Sequence, residues 1–412
     1  MLASLTRPRP RGALRHYSRL LTPSAATGMR VAWERSAEQR LRRMVDAGRE
    51  RGRERLHPSR PTMRALSAAP GGRMRWTSAP APQLPGPQGA IVHPIAASTC
   101  DLDCPLALGA TLFPLPLHLG HECVAEVLAI GEQVTTVSVG DRVIVPFQIN
   151  CGVCTPCREG RTANCVSVPP ASMYGFGLTG GHWGGAFSDE LAVPYADAML
   201  LPLPEGVEPA AVASVADNIC DAYRHVAPHL PSLLEKDPDA EVLVLGSATT
   251  RTLFSPSVPL YAGLVARALG AHNISFADGR PHVRAHAERL GLKALRPREL
   301  HRRAPAPLVV DVSATGLRLA LACTAPDGIC SSAGGLHRST RIPILLMYGR
   351  NATLHLGRTN ARALIPSVLE LIVAGRLRPE TVTTCVAALE DAPEALREHF
   401  LGGGIKTVLT AS

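Results

Sequence analysis

Aromatic residues make up only 4% of the 412 residues, and lysine is nearly absent, with 3 against 40 arginines. So few aromatics leave no interleaved stacking platform for bases, which argues against single-stranded nucleic-acid recognition. No apolar run approaches the ~18–20 residues of a membrane span. No secretory apolar core precedes the cysteines. The first 33 residues contain no acid at all, but six arginines and several serines. What is present excludes a mostly disordered chain, since 46% of the residues are hydrophobic. The length accommodates two or more domains.

The formal net charge of +9 is unevenly placed. Residues 1–62 hold fifteen arginines against five acids, or +10, which leaves 28 basic and 29 acidic residues, or −1, for 63–412. A near-neutral body argues against a nucleic-acid-binding fold, which would carry clustered charge itself. The extension admits three readings. It is a mis-called start or disordered tail ahead of Met63, a mitochondrial transit segment, or a solvated helix around Glu34–Arg55 that meets an acidic surface. The first makes the protein cytoplasmic and the second mitochondrial.

Eleven cysteines, an odd number, suit a reducing compartment better than a disulfide framework. Four of them, Cys151, Cys154, Cys157 and Cys165, are separated by gaps of two, two and seven residues. Four thiolates satisfy tetrahedral zinc and leave no open position, so such a site is structural. The usual bacterial iron–sulfur run has a shorter last gap followed by proline, whereas Val166 follows here. A second constellation, Cys100-Asp-Leu-Asp103 and then Gly120-His121-Glu122, offers a thiolate, an imidazole and carboxylates that converge if a loop returns the chain. A lone His121 would more often be structural.

At this point the sequence resembles the zinc-dependent alcohol dehydrogenases of the medium-chain dehydrogenase/reductase superfamily. The Gly-His-Glu box, Gly131, Gly140-Asp-Arg-Val143, the four-cysteine lobe and Gly184-Gly-Ala-Phe187 follow in that family's order, and the likeness runs from Met63-Arg-Ala-Leu to Lys406-Thr-Val-Leu. The resemblance implies two zincs per chain. One would be catalytic, on Cys100, His121 and Asp217, with Cys220 a competing third ligand three residues later. The other would sit in the cysteine lobe. Glu122 is similar to the acid that enters the zinc shell when water leaves, and Asp103 to the acid that orients the metal-bound histidine. Two departures are plain: Leu102 stands where the family has a relay hydroxyl, and Pro105 where many members have histidine. Ala125 replaces a usual glycine of the box and implies a slightly more crowded turn.

The nucleotide half reads as strand, turn, helix, strand. Glu241–Gly246 is an apolar run ending in glycine, Ser257–Gly270 is helical, and His272–Asp278 is a strand ending in an acid. Gly246 and Asp278 are candidate cofactor residues, Asp278 as the ribose acceptor. Val312 and Ser313, at the end of the Pro307–Ser313 strand, match where the family approaches the nicotinamide, and Gly328–Gly335 is the next strand and turn. Asp278 would repel a 2′-phosphate, which favours NAD over NADP, while Arg280 keeps NADP open. The later fingerprint glycines are missing: Ser247 and Ala248 follow Gly246, Thr249–Pro256 reads as an insertion, and Pro259 sits near the helix start. Weaker cofactor binding than in relatives is therefore expected.

The expected fold is α/β plus β: a GroES-like catalytic domain over 63–216 with its lobe at 151–165, a Rossmann-type doubly wound parallel sheet over 217–352, and a segment over 353–412 that returns to the first domain. The implied activity is hydride transfer between an alcohol or polyol and NAD(P). Expected partners are a small alcohol or carbonyl substrate and a second copy of the chain, as homodimer or homotetramer, with no nucleic acid and no membrane. The competing reading is a catalytically weak or silent zinc-binding relative, motivated by Leu102, Pro105 and the altered glycine turn. Arg358 and Arg362 are read as surface arginines, with a reach to the cofactor phosphates as the alternative.

Overall fold

Alternating and continuous apolar runs separate the chain into antiparallel and parallel sheets. The computed structural model describes residues 61–111, 113–177, 181–313, 316–333 and 341–411. The extension up to residue 60 and the turn Gly334-Gly335 lie outside them. The first strands, β1 (Thr62–Ala69) and β2 (Arg73–Pro80), form a hairpin, and β4 (Leu117–His118) adds to the other edge of β1.

A larger sheet is built on β3 (Ala90–Ser98) and β5 (Glu122–Ile130), with β6 (Arg142–Val145), β7 (Leu191–Val193) and β8 (Leu201–Pro202). Its order is β15-β16-β3-β5-β6-β8, with β7 also paired to β3, where β15 (Cys385–Ala388) and β16 (Thr407–Thr410) come from the far end of the chain. The last segment thus returns to the first sheet. The β3–β5 register sets the site. Ser98, the last residue of β3, faces Glu122, the first of β5. Cys100 leaves one strand where His121 enters the other, so both are at one end of the sheet. Val408 of β16 also faces Ser98, which brings Lys406 to the same end. Ala125 lies inside β5, opposite Pro94 and Val143, and not in a turn; a β-carbon there simply fills the sheet interior.

The third sheet is wholly parallel. Its strands are β9 (Val242–Leu245), β10 (Ile274–Ala277), β11 (Lys293–Leu295), β12 (Ala306–Asp311), β13 (Thr324–Ser332) and β14 (Thr353–Leu356). The order is β11-β10-β9-β12-β13-β14. Numbered from its own first strand this is 3-2-1-4-5-6, the doubly wound arrangement whose crevice opens where the order reverses, between β9 and β12. The sheet runs to Leu356, past the expected boundary at 352, because β14 pairs in parallel with β13. Four-residue runs such as Val-Leu-Val-Leu are buried on both faces, since helices cover them. Each such side chain contributes about 1.5–3 kcal/mol relative to exposure. The helix Ser257–Ala268, which follows β9, is buried around nearly its whole girth. It packs against the helix Asn218–Val226, whose N-terminal end carries the site.

Candidate active site

Donor atoms of Cys100, His121, Glu122 and Asp217 lie within 4.8 Å of one another. Asp217 sits between the turn Ala213–Ala216 and the helix Asn218–Val226, at φ −150° and ψ −76°. The Cys100 thiol points at Asp217 Oδ2, 3.4 Å away, and at Asn218 Oδ1, 3.2 Å away. His121 Nε2 is 3.5 Å from Asp217 Oδ2. Asp103 Oδ2 accepts the Cys100 N–H at 2.8 Å, while its Oδ1 is 3.8 Å from His121 Nδ1. Asp103 Oδ1 and both ring nitrogens of His121 are buried without a hydrogen-bond partner. Such orphans normally cost about 1–3 kcal/mol each. Burial drives the Cys100 thiol far up, and Asp217 and Glu122 push it further. Burial pulls His121 down, but Asp217, Asp103 and Glu122 outweigh it and leave it raised. Sulfur, imidazole and carboxylate crowded together, with no cation beside Cys100, His121 or Asp217 among the described residues, are the donor set of an open zinc site, and the unpartnered His121 Nε2 on the Asp217 side fits a metal ion that would satisfy it. Cys220 is not among these donors: its thiol donates to Val215 O at 3.0 Å, on the inner side of the helix.

Glu122 is fully buried but engaged. Its Oε2 accepts from Ser98 Oγ at 2.6 Å and from Lys406 Nζ at 2.7 Å, and its Oε1 accepts the Asn218 N–H at 3.2 Å. Burial pushes its carboxyl up to about 7 despite the opposing pull of Lys406. Asn218 and Lys406 were missed by sequence reasoning. The signal for Lys406 was rarity, as one of three lysines in the chain. A wall of rings closes the site: Phe176 lies 4.8 Å and Phe147 5.8 Å from the His121 ring, and Phe113 meets Phe176 edge-on at 4.7 Å. Leu102, in the relay position, packs into the same core.

The four sulfurs of Cys151, Cys154, Cys157 and Cys165 also lie within 4.8 Å of one another. Gly152, at φ +72°, makes the turn between the first two. Ser167 Oγ donates to Cys151 Sγ at 3.1 Å, and the Cys154 N–H reaches the same sulfur at 3.4 Å. Backbone N–H groups of Val166 and Cys157 hold the Cys154 thiol down at about 6, ready as a thiolate. Arg358 does not reach a phosphate site: its guanidinium donates to Ala163 O at 2.7 Å and to Asn164 Oδ1 at 2.9 Å, tying the lobe to the closing segment. Arg362 donates to Ala198 O at 2.8 Å.

The dinucleotide crevice is filled by the chain itself. Gly246 follows β9 as expected, but a β-carbon there would lie 2.4 Å from Asp278 Oδ2. Asp278, at the end of β10, is fully buried and saturated. Its Oδ1 accepts from Arg280 N at 2.8 Å and Nε at 2.9 Å, and its Oδ2 from Ser247 N at 2.9 Å and Arg280 Nη2 at 2.8 Å. It has no acceptor left for a ribose hydroxyl. The helix N-terminus is also taken: Asp101 accepts from Ser257 N at 2.9 Å and Val258 N at 3.0 Å. Val312 and Ser313 lie across the switch point, where the Ser313 hydroxyl accepts the Gly316 N–H at 2.7 Å and the Val312 N–H donates to Leu245 O at 2.9 Å. In this conformation the residues do not fit a dinucleotide.

The alcohol dehydrogenase GroES-like domain family matches residues 86–205. A Mycobacterium tuberculosis protein described as "Probable zinc-binding alcohol dehydrogenase" is 30% identical over 336 residues, which are 80% of this chain and 83% of that one. A glutathione-independent formaldehyde dehydrogenase of Pseudomonas aeruginosa is 33% identical over 234 residues, 54% of this chain and 55% of that one. Among solved structures, alcohol dehydrogenase TADH from Thermus sp. ATN1 superposes with a TM-score of 0.74 at 28% identity, covering 85% of this chain and 100% of that one.

Proposed function

The chain belongs to the zinc-dependent alcohol dehydrogenases of the medium-chain dehydrogenase/reductase superfamily and is an oxidoreductase of alcohols and carbonyls, and we propose that its chemistry runs at a zinc held by Cys100, His121 and Asp217. The convergence of these three donors with the unpartnered His121 Nε2 carries the reading. When bound there, zinc supplies Lewis acidity, lowering the pKa of an alcohol oxygen and polarising a carbonyl. The chain's own residues do the rest. Asp103, with Oδ1 3.8 Å from Nδ1, backs the imidazole on the side away from Asp217. Phe113, Phe147 and Phe176 exclude water and favour an apolar carbon beside the reacting hydroxyl. Asn218 and Lys406 hold Glu122 beside the donors. We assign a second, structural zinc to Cys151, Cys154, Cys157 and Cys165.

The electron partner in this reading is a nicotinamide dinucleotide, NAD before NADP. Arg280, the residue that could have greeted a 2′-phosphate, is spent on Asp278 and on Phe254 O. The domain division proposed with this reading is a GroES-like unit over 63–216, a nucleotide-binding unit from 217 through β14, and a closing segment after it. Exposed Ile344, Leu345 and Tyr348 support a homodimer or homotetramer. No helix among the described residues is long and apolar enough to cross a membrane. A catalytically silent role is not favoured, since the relatives carry dehydrogenase names and the donor set is intact. The test is zinc analysis of the purified chain with NADH formation assayed over primary, secondary and polyol alcohols. Two zincs and alcohol-dependent NADH are expected. One zinc, with His121→Ala changing nothing, refutes the assignment.

A further inference from the structure

The helix after the first strand of a doubly wound sheet presents its N-terminus to the crevice, and there the free backbone N–H groups receive a pyrophosphate. In this chain an anion is already in that place. Asp101, beside the proposed zinc ligand Cys100, reaches across 156 positions and accepts Ser257 N at 2.9 Å through Oδ1 and Val258 N at 3.0 Å through Oδ2. Its side chain is buried. The Ser257 hydroxyl also donates to it and in turn accepts from Asn218 Nδ2 at 2.8 Å.

Four further hydrogen bonds and a close backbone approach seal the crevice over it. Ser255 N–H donates to Asp101 O at 3.3 Å, and Ser255 Oγ meets His399 Nε2 at 2.8 Å. Arg280 Nη1 donates to Phe254 O at 2.8 Å. Gly279 N–H donates to Ser247 O at 2.8 Å, and Thr249 lies so close to Gly279 that a β-carbon there would come within 2.4 Å of Thr249 O. The segment Ser247–Pro256 is therefore fastened at both ends across the place a dinucleotide needs.

We propose that Asp101 is a built-in occupant of the pyrophosphate seat and that Ser247–Pro256 is a strap over it, so that the free protein excludes its dinucleotide until both move aside. The proposal rests on the dehydrogenase reading and adds a gate to it. A pyrophosphate cannot share two N–H groups with a carboxylate, and two anions at contact distance repel. A crevice open only part of the time weakens apparent affinity in proportion.

The test uses the zinc-loaded full chain, titrated with ADP, NADH and adenosine by calorimetry, with zinc measured on each sample. Asp101→Asn is expected to tighten ADP and NADH about tenfold, as for a seat that stands open only about one-tenth of the time in the parent, and to leave adenosine unchanged. Asp101→Glu, which keeps the anion, should bind as weakly as the parent. Unchanged or weaker ADP binding by Asp101→Asn overturns the proposal, and so does an equal gain for adenosine, which would mean general loosening. Hydrogen exchange of the unaltered protein is independent of any variant: saturating NADH should speed exchange over Ser247–Pro256, and slower or unchanged exchange overturns the strap. Failure of the dehydrogenase reading would show separately, as a missing second zinc.

Discussion

Lys406 Nζ lies 2.7 Å from Glu122 Oε2, and both side chains are buried. The residue just before β16 thereby supplies the counter-charge for an acid at the foot of the metal cluster. Glu122 holds Lys406 in its charged form, well above the ordinary value, although burial alone would lower it. Removing one partner of a buried pair leaves the other uncompensated. Lys406→Met should therefore cost about 3–5 kcal/mol in chemical denaturation, and adding Glu122→Gln should recover much of that. A single variant within 0.5 kcal/mol of the parent, on the ordinary scale of surface substitutions, would mean that water solvates this carboxylate.

The cysteine lobe predicts a separable metal. Cys157→Ser should lower zinc content from about two per chain to about one, because a closed tetrahedral site needs all four thiolates. The melting temperature should fall, and the remaining zinc should be lost on the further change His121→Ala. If Cys157→Ser keeps two zincs, the lobe does not hold one.

Much of this was legible in the sequence, and what was not has a common cause. The lobe could be read because its four cysteines lie within fifteen positions, 151–165, so spacing alone constrains them. The parallel sheet showed as short apolar runs ending in glycine or acid. Cys100 and His121 could be paired only by resemblance, since their meeting depends on the β3–β5 register. The pairings of Asp101 and Lys406 were beyond reach: their partners are 156 and 284 positions away, and while rarity singles out Lys406, no local pattern says what it meets. Asp278 was found where expected, but its saturation by Arg280 and Ser247 depends on how the insertion folds back. Arg358 lies at the surface, as its preferred reading had it, but its partners in the lobe were not legible, because they are set by whichever carbonyls the fold brings near.

Gly175 tests the backing of the metal site. It lies at φ +74°, and a β-carbon there would come 2.6 Å from Gly120 O and 3.1 Å from His121 Nδ1. Gly175→Ala thus combines backbone strain with pressure on the imidazole. It should destabilise the fold by about 1–3 kcal/mol and weaken zinc retention against a chelator at the His121 site while sparing the lobe. Equal chelator sensitivity of the two zincs in this variant would sever the link to His121.

Two histidines outside the metal cluster set an acid limit on stability. Burial, with Arg224 adding to it, holds His225 down at about 3, and burial with Lys406 holds His399 at about 4, from an ordinary value of 6.5. Each ring is fixed as a neutral partner: His225 Nδ1 meets Ser331 Oγ at 2.8 Å, and His399 Nδ1 meets Thr407 Oγ1 at 2.9 Å. Below about pH 6.5 the unfolded chain takes up these protons and the folded chain does not, so unfolding is coupled to proton uptake. Stability is then full above that pH and declines as pH falls toward the folded values. Each histidine contributes a slope of up to about 1.4 kcal/mol per pH unit. Denaturant midpoints measured between about pH 7.5 and 4.5 should show this decline, and His225→Asn should flatten it by up to one proton in that window. Comparing slopes between parent and variant cancels metal release common to both. Parallel slopes would mean that His225 titrates normally in the folded protein, with its ring open to water.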